Sequence, residues 1–468
     1  MPEEKQDPTL EELEGIDAIT RRRLLKGAGA VALAAASGPL LAACGGGDDN
    51  SKKAAGGGQK SQITGGTSAA EFRELLGISN ADVKALNGKD LKLGLVTALT
   101  GSGAEYGRSQ GNGFKLAAEH FGQATGLNIS TDILDHKSGD PQAGAQAIRQ
   151  LGGESYGAVM SSYAGDIGAM VPGFKQYKIM AFDPGGGTSI AFESKPYFWG
   201  FRANTPDDVY PGLFKFVSEN MPQAKRVMLV GWDLGAELVG LEEKDLKAQL
   251  AKYGMQFAGT QTVKIGATDV SAILSKIKTA NPDVISMATY GTDPGYFMKQ
   301  YVQAGIKAQV IGSEFTYDAQ KIGGPAYDKY WFSSDYFTFD KPPNPLSQVF
   351  MKGYTAKFGK EANLFYEPNY YEGTLALLDL ARRVAAKKGD INDGTQLQNA
   401  VLANPRFKSV YGGDSKTVGE IELDPKTHTP VKRQMGVFAV EHGTPTPLAF
   451  FDVGGADYKL VKKPAASA

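Results

Sequence analysis

The chain has 468 residues, more than one hydrophobic core usually serves, so we expect two domains or lobes. Apolar residues make up 42% of it and charged residues 22%, which is ordinary for a globular protein. The formal net charge of −1 argues against a general electrostatic grip on nucleic acid. The single cysteine excludes an intrachain disulfide framework and a cysteine-rich metal site.

The first 43 residues are predicted to be an export signal. Arg21 and Arg22 precede an apolar run of small residues over 27–41. That run is too short for a comfortable transmembrane helix, which needs about twenty residues. A basic segment, a short apolar segment and small residues before a cleavage site together indicate a signal peptide. The paired arginines followed by Leu-Leu-Lys resemble the twin-arginine export signal.

Cys44 stands at the end of this run, in the sequence LAACG over 41–45. The sequence resembles the lipobox of bacterial lipoproteins, which implies that a diacylglyceryl group alkylates the Cys44 thiol and that the chain is cut before it. The Gly-rich, polar residues 45–68 cannot bury a core and are predicted to be a flexible leash. We therefore expect an exported protein, lipid-anchored to the outer face of the cell membrane, periplasmic or extracellular.

The body of the chain alternates short apolar strands with helices. Residues 91–99 and 128–134 are predicted strands on either side of a helix over 111–121. Asp140-Pro141 supplies the N-cap and first-turn residues of another helix. The same alternation recurs over 226–312 and predicts an α/β protein with two doubly wound lobes of parallel strands. Ligands of such sheets lie beyond the carboxyl ends of the strands, so we look for function in the loops there.

One of these loops, LTGSGAEYG over 99–107, follows the first predicted strand. It resembles a loop of the branched-chain amino-acid-type solute-binding proteins, which have the periplasmic binding protein type I fold. Further matches follow in the family's order, at Asp135 with Asp140-Pro141, Ser161-Ser162, Phe201 to Asp208, Gly312-Ser313-Glu314 and Tyr370 to Gly373. The resemblance covers roughly residues 89–455. It implies that the protein captures an amino acid, amide or small organic acid between two lobes and delivers it to an ATP-driven importer.

The resemblance also implies roles for particular residues. Ser161 and Ser162 offer hydroxyls and backbone N–H groups at a helix start, which suit a ligand carboxylate, although simple helix capping is an alternative. Glu314 matches the acid that pairs with a ligand ammonium; a surface or lobe–lobe salt bridge is the alternative. Tyr106 and Tyr290 would form apolar walls with polar tips, or would be ordinary core aromatics.

Three departures from the family pattern leave the ligand's identity open. Trp232 stands near the position of the family's aromatic wall in the second lobe. Gly187 and Thr188 lie in a loop that replaces a shorter one whose threonine binds carboxylate. Tyr163 is bulkier than the family's usual residue and would shrink the pocket.

The resemblance predicts how two lobes would divide the chain. The predicted division is 1–43 as signal peptide, 44–88 as anchored linker with a short helical lead-in, 89–204 with 340–408 as the first lobe, 205–339 with 409–455 as the second, and 456–468 as a C-terminal tail. The three crossings between lobes are expected near Phe201–Pro206, Phe337–Lys341 and Phe407–Gly412. We expect a monomer that works with the permease subunits of an ABC transporter.

Two other functions compete with transport. An enzyme is disfavoured because there is no Gly-x-Ser-x-Gly elbow, no recognisable pair of acids and no histidine beside a plausible nucleophile. The four histidines are scattered and are expected to be surface or satisfied groups, so we expect no metal and no cofactor. A lipid-anchored sensor that partners a signalling receptor remains the alternative to an importer component.

Overall fold

The computed structural model describes residues 59–101, 103–162, 164–186, 194–203, 205–233, 235–338, 340–359 and 366–464. Three sheets organise these residues: a five-stranded sheet, an eight-stranded sheet and a three-stranded sheet. The predicted signal peptide and lipid anchor, with Arg21, Arg22 and Cys44, lie outside the described residues. Within the described ranges, none of the helices combines the length and the apolar character that crossing a membrane requires.

The first lobe is built on the five-stranded sheet, whose order is β2-β1-β3-β4-β5 and whose strands all pair in parallel. Its strands are β1 Asp90–Thr97, β2 Asn128–Asp135, β3 Ala158–Met160, β4 Met180–Asp183 and β5 Phe198–Gly200. The helices of this region are α1 Ala69–Leu76, α2 Asn80–Leu86, α3 Ala104–Thr125, α4 Pro141–Gly153 and α5 Ala164–Tyr177. As predicted, α4 begins at Asp140-Pro141: the Asp140 side chain accepts the Gln142 N–H at 2.8 Å.

The second lobe is built on the eight-stranded sheet, whose order is β16-β15-β14-β10-β9-β8-β6-β7. Its strands are β6 Arg226–Trp232, β7 Gln256–Val263, β8 Val284–Ala288, β9 Gln309–Gly312, β10 Tyr330–Asp335, β14 Gln434–Glu441, β15 Thr444–Asp452 and β16 Tyr458–Leu460. Strands β6 to β10 pair in parallel, whereas β14 to β16 are antiparallel additions. The accompanying helices are α6 Pro206–Asn220, α7 Ala236–Lys252, α8 Ser271–Ala280, α9 Asp293–Gln303 and α10 Tyr317–Gly323, followed by a 3₁₀ turn over Gly324–Lys329.

Three later helices and a small sheet return the chain to the first lobe. They are α11 Pro345–Phe358, α12 Tyr366–Ala386, α13 Gly394–Ala403, β11 Arg406–Ser409, β12 Gly419–Asp424 and β13 Thr429–Lys432. Helix α12 packs closely along α3, because a Cβ on Gly113 would lie only 2.2 Å from the Glu367 carbonyl oxygen. The His428 ring, which precedes β13, stacks on Trp199 of β5 at 3.6 Å between centroids.

The two large sheets and their helices confirm the α/β prediction with two mostly parallel sheets.

The chain passes between the two large sheets three times. It leaves the first after β5, returns after β10, and enters the eight-stranded sheet again between β13 and β14. Residues 407–412, near which the third crossing is expected, lie in β11 and the segment that follows it. The division of the chain into lobes at particular residues stays a prediction.

A buried ion network joins these passages. Arg202 follows β5, Asp335 ends β10, and Arg433 lies between β13 and β14. The Asp335 carboxylate accepts Arg202 Nε at 2.9 Å on one oxygen and Arg433 Nε at 2.7 Å on the other. Burial alone would raise the pKa of Asp335, but the charges of Arg433 and Arg202 outweigh it and lower that pKa below its ordinary value.

Arg433 extends the network into helix α12. Its guanidinium donates to the Glu372 carboxylate and to the Asn369 side-chain oxygen, and it lies 3.8 Å from the centroid of the Tyr411 ring. Glu372 also accepts the Val410 N–H at 3.0 Å. Every charge in this network is buried, so each needs a partner to offset its lost hydration.

We expect Arg433→Met to destabilise the protein by about 3–5 kcal/mol, because it leaves Asp335 and Glu372 with uncompensated buried charge. Urea unfolding of both proteins measures this difference. Arg406→Met is the matched control, since Arg406 pairs with Glu422 on the surface at 3.1 Å, and its effect should be far smaller. Equal effects of the two substitutions would show that the network does not hold the crossings together.

Candidate functional site

The predicted site residues lie at the carboxyl ends of strands in both lobes. Tyr106 is in the first turn of α3, Ser161 and Ser162 follow β3, Trp232 ends β6, Tyr290 follows β8, and Glu314 follows β9. Tyr163, Gly187 and Thr188 lie outside the described residues. The strand-end rule thus places six of the candidates where a ligand of this fold would be sought.

Glu314 is the point at which the two lobes meet. It is 3% exposed, and one of its carboxylate oxygens accepts the Tyr106 hydroxyl and the Gly291 N–H, the latter at 3.0 Å. The Tyr366 hydroxyl, at the start of α12, donates to the other oxygen at 3.1 Å. Because Tyr106 and Tyr366 belong to the first lobe and Glu314 to the second, these bonds cross between the lobes.

The environment of Glu314 suits a cation. Burial raises its pKa above the ordinary value, although the Tyr106 hydroxyl, the Gly291 N–H and the charge of Arg202 oppose the shift. Among the described residues, no lysine or arginine nitrogen lies within 4.0 Å of the Glu314 carboxylate. In the described part of the chain, Glu314 therefore forms no salt bridge between the lobes. Its contacts with the first lobe are hydrogen bonds from the hydroxyls of Tyr106 and Tyr366.

Aromatic rings surround this acid from both sides. Tyr106 and Tyr366 pack against each other with centroids 4.8 Å apart, and Trp232 meets Tyr290 edge to face at 5.2 Å. The Trp232 Nε1–H donates to Asp293 at 2.8 Å, which fixes the indole at the end of β6. The sequence motifs do not include Asp293. Its position before Pro294, at the start of a helix, is the feature of the sequence that could have pointed to it.

Ser161 and Ser162 differ in the availability of their hydroxyls. The Ser161 Oγ is buried and has no hydrogen-bond partner among the described residues, while the Ser161 carbonyl accepts the Tyr370 hydroxyl at 2.6 Å. Ser162 donates to Thr97 Oγ1 at 3.3 Å, so its proton is directed into the first lobe. Of the two serines, Ser161 therefore has the hydroxyl that can serve a ligand.

His136 sets the direction of the Ser162 hydroxyl. The Gly139 N–H donates to His136 Nδ1 at 3.0 Å, so in the neutral ring the proton is on Nε2, which lies 3.1 Å from Ser162 Oγ. Burial lowers the pKa of His136 to about 4, which keeps the ring neutral near pH 7. Nε2 is consequently a donor to Ser162 and cannot take its proton.

This pair corrects one expectation from the sequence. A histidine does lie beside a serine, although the sequence offered no such pair, because His136 and Ser162 meet only through the parallel pairing of their strands. The geometry is that of a fixed hydrogen-bond chain rather than of a base and its nucleophile. Within the described ranges, no group of three or more His, Cys, Asp or Glu side chains could hold a metal ion.

The loop after β4 is tied to the buried ion network. The Asp183 carboxylate accepts the Gly185 N–H at 2.8 Å, and Arg202 Nη1 donates to the Gly185 carbonyl at 2.8 Å. The same guanidinium binds Asp335 at the crossing. Arg202 therefore connects the crossing to Gly185, which leads into the predicted ligand loop at Gly187 and Thr188.

We expect His136 to stay neutral down to about pH 4 with its proton on Nε2. Because its pKa is lower in the folded than in the unfolded state, its contribution to stability should be lost as pH falls below the ordinary value of about 6.5. Imidazole ¹⁵N shifts followed from pH 8 to 4 measure both the tautomer and the pKa, and His136→Gln identifies the signal. Titration near 6.5, or a proton on Nδ1, would contradict this hydrogen-bond chain.

Comparison with known proteins places this arrangement in a family. The model of the family described as "Periplasmic binding protein" matches residues 90–445. The Leu/Ile/Val-binding protein homolog 2 of Brucella abortus is 25% identical over 348 residues, which cover 72% of this chain and 89% of that protein.

Two solved structures have the same fold. The substrate-binding protein LivJ from Streptococcus pneumoniae, in complex with isoleucine, is 20% identical with a TM-score of 0.65 and covers 78% of this chain and 99% of its own. An ABC-transporter solute-binding protein from R. palustris, in complex with benzoate, is 19% identical with a TM-score of 0.66 and covers 80% and 98%. The chain belongs to the periplasmic binding protein family, in its branched-chain amino-acid type with the type I fold.

Proposed function

We propose that this protein is the substrate-binding lipoprotein of an ABC importer and that it captures an amino acid, or a similar small polar molecule, between its two lobes. The observation that carries the proposal is Glu314, a buried carboxylate of the second lobe that has no lysine or arginine nitrogen within 4.0 Å among the described residues and is contacted by Tyr106 and Tyr366 of the first. A buried charge of this kind is costly without a cationic partner, and a ligand ammonium would supply one.

Capture would require both lobes. The Ser161 hydroxyl, which has no partner in the described part of the chain, is proposed to donate to a ligand carboxylate on the first lobe, and Glu314 to accept the ammonium on the second. Tyr106, Tyr290 and Trp232 would form the walls of the site. Since each lobe carries only half of the complementary groups, a zwitterion binds the closed state better than the open one and shifts the population towards closure.

The two structural neighbours show how widely ligands vary on this fold. LivJ holds isoleucine, a zwitterion, whereas the R. palustris protein holds benzoate, which has a carboxylate and no ammonium. The Glu314 carboxylate, which forms no ion pair with a described residue, favours an amine-bearing ligand for this chain. We propose that Tyr163, Gly187 and Thr188 also contact the ligand, and that Ser162 acts through its backbone N–H rather than through its hydroxyl.

The cellular setting belongs to the same proposal. Cys44 would carry the lipid that anchors the protein to the outer face of the membrane, after export directed by Arg21 and Arg22. Residues 44–58 would be the linker between anchor and lobes, because Ile63, Phe72 and Leu86 already contribute buried side chains to the packed core. The partners would be the permease subunits of the importer, and the protein would act as a monomer.

We expect Glu314→Gln to weaken an amine-bearing ligand roughly ten- to a hundredfold, because a charge-assisted hydrogen bond contributes about 1.5–3 kcal/mol. A thermal-shift screen of amino acids and small organic acids selects the ligand, since binding to the folded state raises apparent stability. Calorimetric titration of the variant and the unaltered protein then measures the loss. Glu74→Gln, on the exposed face of α1, is the control and should bind normally. Unchanged affinity in Glu314→Gln would make Glu314 a structural acid.

We expect Cys44→Ala to leave an uncut precursor without lipid, because the thiol is the atom that would be alkylated. Metabolic labelling with a radioactive fatty acid measures this, and Arg21→Lys with Arg22→Lys should separately block export of the folded protein. Lipid found on the Cys44→Ala protein would contradict the proposed anchor at Cys44. Normal export of the double variant would contradict the proposed twin-arginine signal.

A further inference from the structure

A second carboxyl, Glu242 of α7, lies beside the carboxyl end of β6 in the second lobe, the lobe to which Glu314 also belongs. Its Oε2 is 3.2 Å from the point that a Cβ would occupy on Gly231, the residue before Trp232 in β6. Burial raises the pKa of Tyr290 to about 12, and the charge of Glu242 adds to that shift. Glu242 thus lies close to the aromatic pair that Trp232 and Tyr290 form.

The charges of both acids act on Tyr290. Its pKa responds to Glu242 and, more weakly, to Glu314. The next residue, Gly291, donates its N–H to Glu314 at 3.0 Å. Glu314 is therefore tied to the loop after β8, and Glu242 lies over the carboxyl end of the neighbouring strand β6.

Neither acid has a cation of its own. In the part of the chain that the structure describes, no lysine or arginine nitrogen comes within 4.0 Å of Glu242 or Glu314. Arg202, whose charge acts on Glu314, is already bound to Asp335 at 2.9 Å. The Oγ1 of Thr289, the residue before Tyr290, is buried and has no hydrogen-bond partner among the described residues.

A cation is the ligand group that such a wall favours. Partly desolvated carboxyls attract positive charge strongly, and the ring faces of tryptophan and tyrosine attract organic cations as well. An apolar side chain at this wall would instead keep the Glu242 carboxyl away from water without giving it a partner.

Glu242 is also prepared to exchange a proton with its ligand. Burial and the charge of Asp245 raise its pKa to about 7, and the other ionisable groups that face it are Tyr210 from α6 and Tyr290. Near neutral pH the carboxyl is therefore partly protonated. A cation that binds beside it favours the charged form and expels the proton.

We infer that the ligand carries two cationic groups, one at Glu314 and the other at Glu242, so that the cleft takes a basic amino acid or a diamine rather than an amino acid with an apolar side chain. The inference rests on the proposed function, because it assumes that Glu314 faces the ligand. It specifies the chemical class of ligand for the same cleft.

Calorimetric titration of the full-length protein with L-lysine, 1,5-diaminopentane and L-leucine tests the inference. We expect the two dications to bind more tightly than L-leucine. Glu242→Gln should weaken L-lysine roughly ten- to a hundredfold and leave L-leucine unchanged. Glu243→Gln is the matched control: Glu243 is the next residue on α7 but pairs with Lys247, so this variant should bind L-lysine normally.

A measurement on the unaltered protein makes the test independent of how the variants fold. Titrations with L-lysine at pH 6, in two buffers of different ionisation enthalpy, should show a proton released on binding. Tighter binding of L-leucine than of L-lysine, or an unchanged ratio of the two in Glu242→Gln, would overturn the inference and leave the proposed function standing. If none of the three amines binds, the inference fails, and the amino-acid form of the proposed function fails with it.

Discussion

A single carboxylate, Asp335, holds together the three passages between the two lobes. Its two oxygens bind Arg202 and Arg433, which come from the other two passages, and all three side chains are buried. Buried charges must be paired or their lost hydration is not offset, so the passages cannot separate without a large cost. Arg202 also donates to the Gly185 carbonyl, so the crossing between the lobes fixes the start of the loop that contains Gly187 and Thr188. The position of this loop therefore depends on the ion network at the crossing, because Arg202 takes part in both.

Around this fixed crossing the lobes meet at Glu314. The hydroxyls of Tyr106 and Tyr366 in the first lobe donate hydrogen bonds to its carboxylate. A ligand ammonium brings a full charge, and charge-assisted hydrogen bonds are about twice as strong as neutral ones. In the proposed mechanism, an ammonium bound to Glu314 would therefore stabilise the closed arrangement of the lobes. The lobes need only a modest difference in free energy between open and closed states for such a ligand to decide the population.

The sequence predicts the parts of this protein that depend on local pattern. The alternation of strands and helices gives two mostly parallel sheets, and Tyr106, Ser161 and Glu314 lie beyond the carboxyl ends of β1, β3 and β9, while their role in binding stays a prediction. Pairings between distant residues were not predictable. Arg202 and Asp335 are 133 residues apart, and Arg433 is 98 residues beyond Asp335. Which of many charged residues become partners is decided by tertiary packing, and no local periodicity records it. The tie between His136 and Ser162 was missed for the same reason.

The central claim is that ligand binding closes the two lobes, and a distance across the cleft tests it most directly. Spin labels on Lys175→Cys in α5 and Lys276→Cys in α8, both exposed positions, report the separation of the lobes once Cys44 is replaced by serine. Pulsed dipolar spectroscopy, with and without a saturating concentration of the best amine from the screen, measures the distribution of distances. We predict that the ligand increases the population at the shorter distance and narrows it. Identical distributions, with binding verified by calorimetry on the same sample, would contradict closure as the mechanism of capture.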